Sequence, residues 1–118
     1  MKVVPMIHVP DVRATAAWYE SIGFGVPATH SDDGEMSWAL LTFGTTEVML
    51  NEGGTTSAAH RREVDLYVHV EDVAALFERL NGRVEVVEAL HDTAYGMREF
   101  IIRDLNRFWI TFGQPIRT

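Results

Sequence analysis

Cysteine is absent from the 118 residues. That excludes disulfides, thiolate zinc sites and cysteine nucleophiles, and it fits a reducing, cytoplasmic setting. Basic residues are scarce, with 10 Lys and Arg against 17 Asp and Glu and a formal charge of −7. A nucleic-acid partner needs a basic face, so none is expected. An acidic surface attracts cationic small molecules, although acidity is also a common means of staying soluble. No apolar run approaches the roughly 20 residues that cross a bilayer, so no membrane partner is expected. The apolar start, Met1 to Pro5, is too short for a signal peptide. Proline is rare, with four in the chain. Pro5 falls in the first apolar segment, and its missing N–H suits an edge strand.

What is present is ordinary for a globular protein, 47% hydrophobic and 23% charged. The length suits one compact domain or two half-size modules. Residues 95–113, YGMREFIIRDLNRFWITFG, read as two strands, 97–103 and 108–112, around the turn Asp104-Leu105-Asn106-Arg107. Residues 37–50, SWALLTFGTTEVML, repeat that pattern. Upstream, Met6-Ile7-His8-Val9-Pro10-Asp11-Val12 matches Tyr67-Val68-His69-Val70-Glu71-Asp72-Val73. His8 and His69, Asp11 and Asp72, and Val12 and Val73 stand at one constant spacing. A helix follows each copy, over 12–22 and 73–80. The second shows Val73, Leu76, Phe77 and Leu80 at i, i+3, i+4, i+7. Gly23 and Asn81-Gly82 stop the two helices. Trp18 lies four residues before Ile22 and is expected in the core. Remaining strands are expected over 3–9, 25–30, 36–43, 47–51, 64–70 and 84–88, with loops at 31–34 and 89–95. EGGTTSAAHRRE, residues 52–63, reads as the linker. Fixed-period self-similarity of this kind marks a duplicated unit. The expectation is a single domain over 1–118, built from repeats at 1–52 and 63–113.

Three stretches carry a family resemblance: Val4-Pro5-Met6-Ile7; Trp18-Tyr19 followed by Ile22-Gly23-Phe24-Gly25; and Tyr95-Gly96-Met97-Arg98-Glu99-Phe100 followed by Arg103-Asp104. The chain resembles the vicinal oxygen chelate superfamily of glyoxalases, bleomycin-resistance proteins and dioxygenases, most of all its bleomycin-resistance branch. The resemblance implies an α+β fold of tandem βαβββ modules forming a curled, cup-shaped mixed sheet, commonly completed as a homodimer. One departure is visible. The family's Pro-x-Gly after Arg-Asp is here Leu105-Asn106-Arg107, which puts Arg where Gly is usual and invites backbone strain.

Enzymes of the superfamily hold one metal in the cup. By register the ligand places fall at Val4, Met49 (or Leu50), Asp65 and Thr111. Only Asp65 suits a hard divalent ion, and a single carboxylate does not hold one tightly. No metal or other cofactor is expected. Strand alternation puts His8 beside Met6 and Val4 on one cup-facing side, and His69 beside Tyr67 and Asp65 on the other. His8 and His69 are the catalytic candidates, because imidazole gains charge near neutrality. As pocket-lining residues they are favoured; for catalysis, the reading as strand-end residues bonded to backbone comes slightly ahead. Trp38 and Trp109 are candidate stacking walls for an aromatic or cationic ligand, or else core. Arg98 and Glu99 point to opposite faces, so only one faces the cup.

Three functions compete. One is a non-catalytic binder that sequesters a drug or metabolite. Another is a metal enzyme of glyoxalase or dioxygenase type. A third is a metal-free lyase or isomerase using His8 or His69. The expected ligand-binding set is His8, Trp38, Met49, Asp65, Tyr67, His69, Arg98, Trp109 and Thr111, in a cytoplasmic homodimer.

Overall fold

A computed structural model describes residues 1–116. The chain divides into two units, Met1–Ser57 and Ala58–Thr118. The first runs β1 (Met6–His8), α1 (Val12–Ser21), β2 (Gly25–Asp32), β3 (Glu35–Phe43) and β4 (Thr46–Asn51). Its sheet has the order β1-β4-β3-β2, with β1 parallel to β4 and the other pairs antiparallel. The second runs β5 (Leu66–His69), α2 (Val73–Leu80), β6 (Glu85–Asp92), β7 (Met97–Arg103) and β8 (Trp109–Pro115). Its sheet has the order β5-β8-β7-β6, with β5 parallel to β8. The architecture is α+β, two βαβββ units of the same strand order.

Each helix starts on an aspartate. The Asp11 carboxylate accepts from the Ala14 N–H at 2.9 Å, and Asp72 accepts from the Ala75 N–H at 3.0 Å. Both satisfy donors that the first helical turn leaves open. The first helix buries Val12, Thr15, Ala16 and Tyr19 against the sheet residues Ala39, Leu41, Val48 and Leu50. Tyr19 is the core aromatic here. Trp18 is half-buried and meets Tyr19 edge-on with ring centres 5.0 Å apart, because its place on the helix turns it toward the rim. The second helix buries Val73, Leu76 and Leu80, and its Phe77 meets Phe100 edge-on at 5.1 Å. Phe100 in turn stacks on Phe112 at 5.1 Å. One face of each sheet is therefore covered by its helix.

Several strand limits differ from the sequence expectation. The first strand is only Met6–His8, and Pro5 stands outside it while its carbonyl accepts from the Met49 N–H at 2.8 Å. The second and sixth strands run on to Asp32 and Asp92. Both carry two register shifts, which break the alternation that makes a strand visible in sequence. The first hairpin turns at Asp33-Gly34, both with positive φ, as a two-residue connection between right-twisted strands requires.

The last hairpin decides the geometry of the second unit. The Asp104 carboxylate accepts from the Asn106 and Phe108 N–H groups at 2.8 and 2.9 Å, and the Asp104 N–H donates to the Phe108 carbonyl at 2.9 Å. That closes a three-residue loop whose last member, Arg107, has φ 71. The strained position is thus Arg107, at the place where Gly is usual, and a non-glycine residue there costs roughly 1 kcal/mol. Its Nε donates to the Ala59 carbonyl at 2.6 Å. The loop sets Arg103 opposite Trp109, Ile101 opposite Thr111 and Glu99 opposite Gly113.

Candidate functional site

The candidate residues on the strands, Arg98 excepted, fall on the sheet faces turned away from the helices. In the first unit, Met6 and His8 project opposite to the buried Ile7, and Met49 and Asn51 opposite to Leu50. Met6 pairs with Met49, His8 with Asn51, and Trp38 with Asn51, so all five share one face. The Asn51 amide donates to Met6 Sδ at 3.2 Å. His8 Nδ1 lies 2.9 Å from the Glu52 carbonyl, a contact that places the proton on Nδ1. The first unit thus offers a Met- and Trp-lined surface with one tethered imidazole. A shallow groove of about 260 Å³ on the other side of this unit, lined by Arg13, Ala16, Ala17, Glu20, Val26 and Met36, contains none of these residues.

In the second unit, Tyr67 and His69 project opposite to the buried Val68, with ring centres 5.0 Å apart. Tyr67 pairs with Thr111 and His69 with Gly113 on the neighbouring strand. Glu99 lies beyond Gly113 on β7. The Tyr67 ring crosses over Gly113, and its hydroxyl donates to Glu99 Oε2 at 2.6 Å. The Tyr95 hydroxyl donates to Glu99 Oε1 at 2.7 Å. Glu99 is 3% exposed, whereas Tyr67 is 44% and Tyr95 69% exposed. Burial of the hydroxyl end raises the Tyr67 pKa above its ordinary value, and the hydrogen bond and charge of Glu99 raise it further. For Tyr95 the hydrogen bond to Glu99 is the first cause of a raised pKa, with desolvation second. Among the described residues no Lys, Arg or His forms an ion pair with Glu99.

Trp109 stands at the other end of β8, beside residues 60–65. The Arg61 guanidinium lies over the ring, 4.3 Å from its centre, and donates to Asp65 Oδ2 at 2.5 Å. The indole N–H donates to the His60 carbonyl at 3.1 Å, and the His60 ring meets the indole edge-on. The stacking wall read for a cationic ligand thus already carries an internal cation. Arg98 does not join the set. It lies on the helix side of β7 and pairs with Asp92 at 2.7 and 3.3 Å. Glu99 is the member of the Arg98–Glu99 pair that shares the face of Tyr67, His69 and Thr111. Sequence reasoning left Glu99 open as the alternative to Arg98, and missed Tyr95 and Gly113 as its neighbours. The one available signal was a lone glutamate inside the apolar run 97–103.

The places that the family resemblance assigns to a metal do not fit one. Val4 has no donor, Met49 offers a soft thioether, and Thr111 a neutral hydroxyl. One Asp65 oxygen is engaged by Arg61. Among the described residues, no three His, Asp or Glu side chains gather as a metal site would require.

Two βαβββ units, each with a helix on one sheet face and candidate side chains on the other, define the class of small α+β proteins built from this paired unit. The profile of the Glyoxalase/Bleomycin resistance protein/Dioxygenase superfamily matches residues 3–112, and the chain belongs to that superfamily. No curated protein matches the chain. Among solved structures, TioX from Micromonospora sp. ML1 is similar at 24% identity and a TM-score of 0.79, covering 98% of this chain and 99% of that one. A bleomycin-binding protein complexed with bleomycin is similar at 18% identity and a TM-score of 0.73, covering 97% and 98%. A glyoxalase-related enzyme from Clostridium phytofermentans is similar at 19% identity and a TM-score of 0.76, covering 98% and 95%. At such identities these likenesses describe the fold.

Proposed function

We propose that this protein binds and sequesters a small molecule, a drug or metabolite with an aromatic or cationic part, without metal chemistry. The observation that carries the reading is the helix-free face of the second sheet. There Tyr67, His69 and Tyr95 offer ring surface around a buried carboxylate. Rings give a planar ligand area at low entropic cost, and one fixed polar group orients it. The poor donor set at the metal places speaks in the same direction. The bleomycin complex of a structural neighbour supports it further, since that protein holds a small molecule in the same fold. The working unit is a cytoplasmic homodimer, and each chain descends from one duplicated βαβββ unit. In support, both helices start on an Asp N-cap and both sheets share one strand order.

Bleomycin is the first probe. Calorimetric titration is expected to show saturable binding at one site per chain, with the bleomycin recovered unchanged and light scattering giving twice the chain mass. Stoichiometric Zn, Ni, Mn or Fe in untagged protein, lost in Asp65→Ala, refutes the metal-free part. Chemical conversion of a bound molecule replaces the binder with the enzyme reading.

A further inference from the structure

Glu99 is a buried carboxylate that forms no ion pair among the described residues; His91, which stands opposite it on β6, pairs with Glu88 instead. Two phenol hydroxyls satisfy its oxygens at 2.6 and 2.7 Å, but both donors are neutral. The other strongly buried carboxylate, Asp104, holds turn N–H groups and has an evident structural task. Glu99 holds no turn and caps no helix. A charge kept in such a place is expensive unless it is paired.

We propose that Glu99 receives a protonated primary amine of the ligand, which takes the place of the Tyr95 hydroxyl. This rests on the binding reading above and adds the chemical class that the site selects. The two tyrosines are not equivalent. Tyr67 lies across Gly113 with its Cζ where a side chain at that position would come to 2.9 Å, and it packs beside His69. Its hydroxyl is held in place by what surrounds the ring. Tyr95 sits in the turn before β7, next to Gly96 at φ 85, with its ring mostly in water. Rotating it outward uncovers Oε1 and leaves Oε2 with Tyr67. An ammonium N–H then makes a hydrogen bond in which the donor also carries charge, adding to the carboxylate an ion pair that the neutral hydroxyl does not supply. The requirement is for an N–H donor as well as a positive charge. A quaternary ammonium lacks the donor, so it cannot replace the hydroxyl. The ligand's aromatic body lies on the exposed rings of Tyr67 and His69.

The test compares three molecules that share one ring and reach: tryptamine, its alcohol counterpart tryptophol, and its N,N,N-trimethyl derivative. Binding is followed by ligand-observed NMR up to millimolar concentration, in the wild type, Glu99→Gln and Tyr95→Phe. Circular dichroism of each variant confirms its fold. Tryptamine is expected to bind about ten-fold or more tightly than either analogue, a factor typical of one charged hydrogen bond. In Glu99→Gln the preference collapses to about two-fold or less. In Tyr95→Phe, which removes the competing hydroxyl, tryptamine binds more tightly than in the wild type while tryptophol does not. Equal binding of tryptamine and tryptophol overturns the amine subsite while leaving the binding function intact. Preference for the trimethyl derivative overturns it too, since that marks a cation–π cage. Absence of tryptamine binding, with bleomycin still bound, rejects the subsite alone. Absence of both rejects the function with it.

Discussion

Replacing Gly113 by Ala tests the geometry of the site from below. Gly113 lies in ordinary strand backbone, so no φ requirement protects it. A Cβ there would overlap the Tyr67 hydroxyl, with Cζ at 2.9 Å and Glu99 Cγ at 3.3 Å. The Tyr67 ring must therefore leave, and its hydrogen bond to Glu99 goes with it. A hydrogen bond to a charged group contributes roughly 1.5–3 kcal/mol. Because Tyr67 is 44% exposed, the lower part of that range applies, and the freed phenol regains water. Against this, alanine in a strand interior is favoured over glycine by roughly 0.5–1 kcal/mol. The balance is a loss of about 1 kcal/mol, or a fall in Tm of roughly 4 °C for a domain of this size. In a Tyr67→Ala background the main obstacle is gone and only the flexible Glu99 side chain must give slightly, so the same substitution should stabilise, by up to roughly 0.5–1 kcal/mol. The sign reversal is what matters, and urea unfolding of the four proteins of the cycle measures it. If Gly113→Ala destabilises equally in both backgrounds, Tyr67 is not what keeps position 113 bare, and the placement of its hydroxyl on Glu99 is wrong.

Two further outcomes follow from the same contacts. Tyr67 holds its proton more tightly when folded, so its contribution to stability is full below the ordinary phenol value of 10.0 and is lost as pH rises through that value toward its own. Absorbance at alkaline pH should show Tyr67 and Tyr95 ionising late; in Glu99→Gln both should ionise earlier, and unchanged curves would contradict their attachment to that carboxylate. Asp104→Ala leaves two turn N–H groups without their acceptor, one of them buried, and is expected to cost roughly 2–4 kcal/mol by urea unfolding, with Asp104→Asn intermediate. A loss below about 1 kcal/mol would show that the loop holds its shape without the carboxylate.

The fold was legible because its determinants are periodic. Helix spacing, the matched Asp11 and Asp72 and the repeated hairpins each report a local preference that the final structure keeps. Strand ends were less so, since the bulges in β2 and β6 remove the alternation on which a strand is recognised. The site failed to appear for a narrower reason. A four-residue turn over 104–107 would set Arg103 opposite Phe108, and the alternation would then put Arg98 on the face of Trp109 and Thr111. The observed loop is one residue shorter and closes between Asp104 and Phe108, so Arg103 meets Trp109 and Glu99 takes that face instead. A one-residue change of register turns every side chain of a strand over. The difference rests on Arg107 accepting a left-handed backbone, which a sequence rule assigns to Gly or Asn before Arg. The strain in that turn and the identity of the buried carboxylate are thus one fact. Relaxing Arg107 toward an ordinary φ would require a longer loop, and a longer loop would exchange an anion for a cation at the centre of the proposed binding face.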